Sequence, residues 1–139
     1  MAGTGPTGLF GVLHASNVLE GRLEARLSEV GLSLAKLAAL HHLTAAGESL
    51  PLGQLAERLS CVKSNVTQLI DRLEADGFVA RVHDPDDRRT IRAAVTAAGR
   101  AAYDRANSLL AEHERALDAK LGAAPRADLA RQLITLREG

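Results

Sequence analysis

The chain has 139 residues, 46% of them hydrophobic and 24% charged, with 17 basic residues against 17 acidic ones. At about 100–200 residues per domain, that allows one globular domain, alone or with appended helices, and it is not a disordered composition. Aromatics are 2% of the chain, the net charge is zero and Cys61 is the single cysteine, which excludes aromatic stacking platforms, a histone-like basic coat, a disulfide framework and any zinc site of two or four cysteines.

Met1 to Gly8 holds three glycines and a proline and reads as a frayed tail. Over 9–30 the residues Leu9, Phe10, Leu13, Val18, Leu19, Leu23, Leu27 and Val30 recur mostly at three or four, which predicts a long helix with one apolar stripe. Gly31 stops it, and Ser33 caps a second helix carrying Leu37, Leu40 and Leu43 up to Gly47. Two shorter helical patterns follow, one on Leu52, Leu55, Ala56 and Leu59, the other on Val62, Val66, Leu69, Ile70 and Leu73 as far as Gly77. The break between them at Ser60-Cys61 has helix-turn-helix spacing.

The period then shortens to about two. Phe78 to His83 and Thr90 to Thr96 read as strands around the polar turn Asp84-Pro85-Asp86-Asp87. Helix-turn-helix followed by such a hairpin is a winged helix-turn-helix. Helical spacing returns from Ala97 to Leu121, and Pro125 opens a last helix bearing Leu129, Leu133 and Leu136. The expected fold is mainly α with a small β-wing, a single domain over 1–139. Within it, 33–96 is the winged helix-turn-helix unit and 9–30 and 97–137 are long terminal helices for dimerisation. The winged unit is too small to cover both terminal stripes, so a two-fold homodimer is expected.

In the second helix of the pair, Ser64, Asn65, Gln68 and Arg72 lie away from the apolar face. Short polar side chains admit close approach of the backbone, Asn and Gln can grip adenine bidentately, and Arg reaches guanine or phosphate. Lys63 stands at the helix start, unfavourable for the helix dipole but useful beside a phosphate. The same face would also suit a solvated helix. In the hairpin, Arg88 and Arg89 project from an otherwise acidic turn, and an arginine there suits the negative potential of a narrow minor groove. From Leu52 to Thr96 seven basic residues face seven acidic ones, so binding to double-stranded DNA rests on placement rather than on excess charge.

Leu55-Ala56-Glu57-Arg58-Leu59, Ser64 to Glu74, Gly77-Phe78-Val79, Asp84 to Arg89 and Thr96-Ala97-Ala98-Gly99 together resemble the MarR (multiple antibiotic resistance regulator) family over nearly the whole chain. The resemblance implies a homodimeric transcription factor on a pseudo-palindromic operator, usually a repressor and often released by a small-molecule effector. By position it implies that Arg89 enters the minor groove and that Asp71 salt-bridges and aims it, with Asp87 as its companion in the wing. Ser64, Asn65, Thr67 and Gln68 would face the major groove, and Arg72 the backbone. Val62, Lys63 and Gln68 depart from the family's common Ser or Thr, Pro and Arg, which bears on the sequence read and not on the fold. An effector crevice between the dimer helices and the winged unit would draw its polar groups from His14, Asn17, His41 and Tyr103.

Three other features carry less. Cys61, before the recognition helix, is either a small turn residue or a redox-sensing thiol favoured by Lys63 and the helix end. His41, His42 and His113, with Glu20, Glu24 and Glu112, have no diagnostic metal spacing, so no metal and no cofactor is expected. There is no glycine-rich phosphate loop, nucleophile elbow or partnered nucleophile, so no enzyme is expected. No apolar run approaches the ~20 residues of a membrane span, and no charged segment leads into an apolar one at the start. The expected location is the cytoplasm. The rival reading is a winged-helix module that binds protein instead of DNA.

Overall fold

The computed structural model describes residues 7–59 and 65–138. The elements are α1 (Thr7–Ser28), α2 (Leu34–Ala45), β1 (Ser49–Pro51), α3 (Leu52–Arg58), α4 (Val66–Ala75), β2 (Val79–His83), β3 (Ile91–Val95), α5 (Ala97–Leu121) and α6 (Ala123–Glu138). The chain divides into two compact units, Met1–Ala106 and Asn107–Gly139. No described helix is long and apolar enough to cross a membrane.

The first unit is assembled around leucines. Leu27 of α1, Leu40 and Leu43 of α2, Leu55 and Leu59 at α3, Ile70 and Leu73 of α4 and Val79 of β2 are its largest fully buried side chains. Truncating any of these leucines to Ala would cost about 2–5 kcal/mol. Leu40 and Leu43, Leu55 and Leu59, and Ile70 and Leu73 each lie three or four residues apart on one helix face, which is why that periodicity predicts these helices well.

Helix ends follow their local chemistry. The Ser33 hydroxyl accepts a hydrogen bond from the Lys36 amide at 3.2 Å and caps α2. Gly31 (φ 76°) and Gly77 (φ 79°) take the left-handed conformation after α1 and α4. In the second unit, Pro125 stands in the first turn of α6, where its missing N–H is not needed. There Arg126 donates to Asp118 and Arg131 to Asp128.

The sheet has three antiparallel strands in the order β1-β3-β2, with Leu50 opposite Ala93 and Arg81 also opposite Ala93. The hairpin is where the change of period places it. β1 is a departure from the two-strand expectation. Three residues ending in Pro51 carry too little alternation to show a period, and a proline is tolerated at the edge of a sheet.

Several apolar positions of the terminal helices are left uncovered in the single chain. On α1, Leu9, Phe10, Leu13 and Leu19 are exposed, and on α6 Leu129, Leu133, Ile134 and Leu136 are exposed, the last to 72%.

Candidate nucleic-acid interface

α4 separates its residues by face. Leu69, Ile70 and Leu73 are buried, whereas Asn65, Thr67, Gln68, Asp71 and Arg72 are exposed. Asn65 is the N-cap, its Oδ1 accepting from the Gln68 amide at 3.3 Å, and α4 therefore starts at Val66, later than the periodicity places it. The cap uses one end of the Asn65 amide and leaves the NH₂ end for a ligand. Cys61, Lys63 and Ser64 lie outside the described residues.

A single side chain ties this helix to the hairpin. Arg81, on β2, donates from Nη2 to Asp71 Oδ1 and from Nη1 to Glu74 Oε1, both at 2.6 Å, while its backbone amide reaches Glu74 Oε2 at 3.2 Å. A second contact from Nη2 reaches the Thr67 carbonyl at 3.4 Å. The Asp71 hydrogen bond, against the opposing effect of burial and with help from the Glu74 hydrogen bond, raises the guanidinium pKa above its already high value. The resemblance implies Arg89 as the partner of Asp71; among the described residues its partner is Arg81, because Arg81 projects from the strand face turned to α4 and meets two carboxylates one helical turn apart. The period of two in β2 and the three-residue spacing of Asp71 and Glu74 are the signals in the sequence that point to this bridge.

The wing turn is ordered by its acids. Asp84 Oδ1 accepts from the Asp86 amide at 2.8 Å and Asp84 Oδ2 from Arg92 Nη1 at 2.9 Å. These two, the backbone contact first, hold the Asp84 carboxyl below its ordinary pKa. Arg92 also grips Ser49 of β1 through Nε at 3.2 Å. Asp87 Oδ1 accepts from the Arg89 amide at 3.1 Å and from Arg89 Nε at 3.3 Å, and Asp87 Oδ2 accepts from the Thr90 hydroxyl at 3.3 Å. Asp87 thus contacts both the backbone amide and the side chain of Arg89. Arg88 is exposed, and the Arg89 side chain stands 93% exposed at the tip.

At the other end of the hairpin, Thr96 joins three elements. Its amide donates to the Phe78 carbonyl at 3.0 Å and its hydroxyl to the Gly77 carbonyl at 2.6 Å, while the same hydroxyl accepts from the Gly99 amide at 3.0 Å. The end of α4, the start of β2 and the start of α5 are thereby fixed together.

Of the residues expected to form an effector crevice, two meet. His41 Nδ1 and the Tyr103 hydroxyl share a hydrogen bond at 2.9 Å. His14 and Asn17 are exposed on α1. His42 lies beside His41, and burial, then His41 and then Arg58 lower its pKa. Among the described residues no three His, Cys, Asp or Glu are grouped to hold a metal ion.

Comparison with known proteins places this geometry. A sequence profile of the MarR family matches residues 32–91. The chain is 31% identical over 75 residues to the homoprotocatechuate degradative operon repressor of Escherichia coli, 54% of this chain and 51% of that one. Alignments to the curated relatives span between 25% and 51% of those proteins' lengths. Among solved structures, the repressor CouR bound to a 23-mer DNA duplex superposes with a TM-score of 0.83 at 28% identity, covering 92% of this chain and 90% of CouR. CouR has also been solved with p-coumaroyl-CoA. A cysteine-to-serine variant of MarR from E. coli, complexed with operator DNA, gives a TM-score of 0.77 at 25% identity and 93% coverage of both chains.

Proposed function

The chain belongs to the MarR family of winged helix-turn-helix transcriptional regulators, which are not enzymes, and from that membership we propose that it represses transcription by binding operator DNA as a homodimer. The observation that carries this reading is the joint placement of the exposed polar face of α4 and the exposed Arg89, on one unit braced by Arg81. Ser64, Thr67, Gln68 and the Asn65 amide meet base edges in the major groove, and Lys63 serves a phosphate. Arg72 and Arg88 meet phosphates, and Arg89 enters the adjacent minor groove. Residues 33–96 are the DNA-binding unit of a single regulator domain.

A second copy of the chain supplies the cover for the apolar faces of α1 and α6 and spaces two such units along one pseudo-palindromic site. Its place of work is the cytoplasm. A small-molecule effector released into or taken from a crevice near the His41–Tyr103 pair controls DNA affinity, a reading supported by the ligand complex of the similar CouR.

The test is a titration onto duplexes cut from the DNA upstream of the chain's own gene. A selective complex that weakens steeply with salt is expected. Absence of any complex at low salt overturns the reading and favours a protein-binding winged helix.

A further inference from the structure

His83 closes β2 at the root of the wing. Its Nδ1 lies 2.9 Å from the Arg88 carbonyl oxygen. A carbonyl only accepts, so Nδ1 carries the hydrogen and Nε2 is the nitrogen left for a further partner. The ring is thus held in one tautomer and one orientation, and the residue is exposed.

Its position along the strand matters as much. Side chains alternate along a strand, so Val79, Arg81 and His83 share a face. Arg81 identifies that face, because it bonds to Asp71 and Glu74 of α4. His83 therefore lies two residues, or roughly 6.6 Å, farther toward the wing tip, between the recognition helix and Arg89. When a helix occupies a major groove and a wing the next minor groove, one sugar-phosphate strand passes between them.

We propose that His83 is a phosphate contact of the DNA complex that works only when protonated, making DNA affinity rise as pH falls. The inference rests on the DNA-binding reading above and adds a regulatory input to the same surface. Neutral, Nε2 presents a lone pair to a phosphate oxygen and repels it. Protonated, it presents an N–H and a positive charge.

The charged neighbours are accounted for. Arg81 is taken by Asp71 and Glu74 of α4, Asp84 by Arg92 of β3 and Asp87 by Arg89. Asp86 and the Arg88 side chain are exposed on the turn. No carboxylate of α4 or of the wing turn is bonded to the imidazole among the described residues, which leaves Nε2 open to a phosphate.

The experiment follows binding of the full chain to a mixed-sequence 30-base-pair duplex by fluorescence anisotropy at pH 5.5 and pH 8, at several salt concentrations, with His83→Gln and His83→Lys alongside. The wild-type chain should bind roughly ten-fold tighter at pH 5.5. Its log K against log salt should steepen by about 0.9 for each subunit bound. His83→Gln, whose amide can still donate to the Arg88 carbonyl, should lose the difference between the two pH values. His83→Lys should bind at pH 8 as the wild type does at pH 5.5, which a disordered wing would not produce. A wild-type chain that binds equally at both pH values, or a His83→Gln that keeps the full pH effect, overturns the role of His83 alone. No complex at either pH overturns the DNA-binding reading itself.

Discussion

Arg81 of β2 and Asp71 of α4 meet at 2.6 Å, and the same guanidinium holds Glu74 one helical turn on, which ties the base of the wing to the recognition helix at two points. The bridge lies at the surface, Asp71 being more than half exposed, where such pairs contribute only about 0.2–1 kcal/mol each. Its importance is geometric. In the proposed complex, a helix and wing tied together at this point would reach adjacent grooves with less ordering entropy lost on binding.

Arg81→Ala should therefore lower stability by about 1 kcal/mol yet weaken DNA binding by more than that loss explains. Arg81→Lys should restore only part of the affinity, since an ammonium lacks the planar fork that spans two carboxylates. Urea unfolding and anisotropy titration of the same preparations separate the two effects.

Gly99 is required by close approach and not by backbone conformation. A Cβ there would lie 2.0 Å from the Phe78 carbonyl oxygen, which also accepts the Thr96 amide. Gly99→Ala should destabilise the chain by about 2–3 kcal/mol, in the range of overpacked sites where only backbone can yield. Thermal unfolding followed by circular dichroism checks this.

Much of this architecture is legible in the residues. The leucine spacing of α2, α3 and α4 reports burial directly, and the DPDD turn marks the hairpin because its acids bond to their own backbone. β1 is not legible, being three residues held by pairing with distant β3 and by Arg92. The Arg81 bridge escapes a motif reading for another reason. The family pattern directs Asp71 toward the wing-tip arginine, while the pairing found depends on which face of β2 turns to α4, a tertiary fact that alternation only hints at.

Asp84 gives the wing a pH dependence of its own. The Asp86 amide, then Arg92, hold its carboxyl below the ordinary value. A carboxylate whose pKa is depressed on folding adds stability above its unfolded pKa and loses it as pH falls through its folded pKa. The contribution is therefore complete at neutral pH and fades below about pH 4. Asp84→Asn should be less stable than the wild type at pH 7, with the gap narrowing at pH 3.5. Urea midpoints at the two pH values decide it.

The account stands most directly on Arg89, nine-tenths exposed at the wing tip and oriented by Asp87. The decisive measurement is the affinity of the wild-type chain and of Arg89→Ala for an upstream duplex containing an inverted repeat, with the mass of each protein read by sedimentation. The account predicts that Arg89→Ala remains a dimer and binds at least about ten-fold more weakly. Unchanged affinity in a dimeric Arg89→Ala, or a wild-type chain that sediments as a monomer, would contradict it.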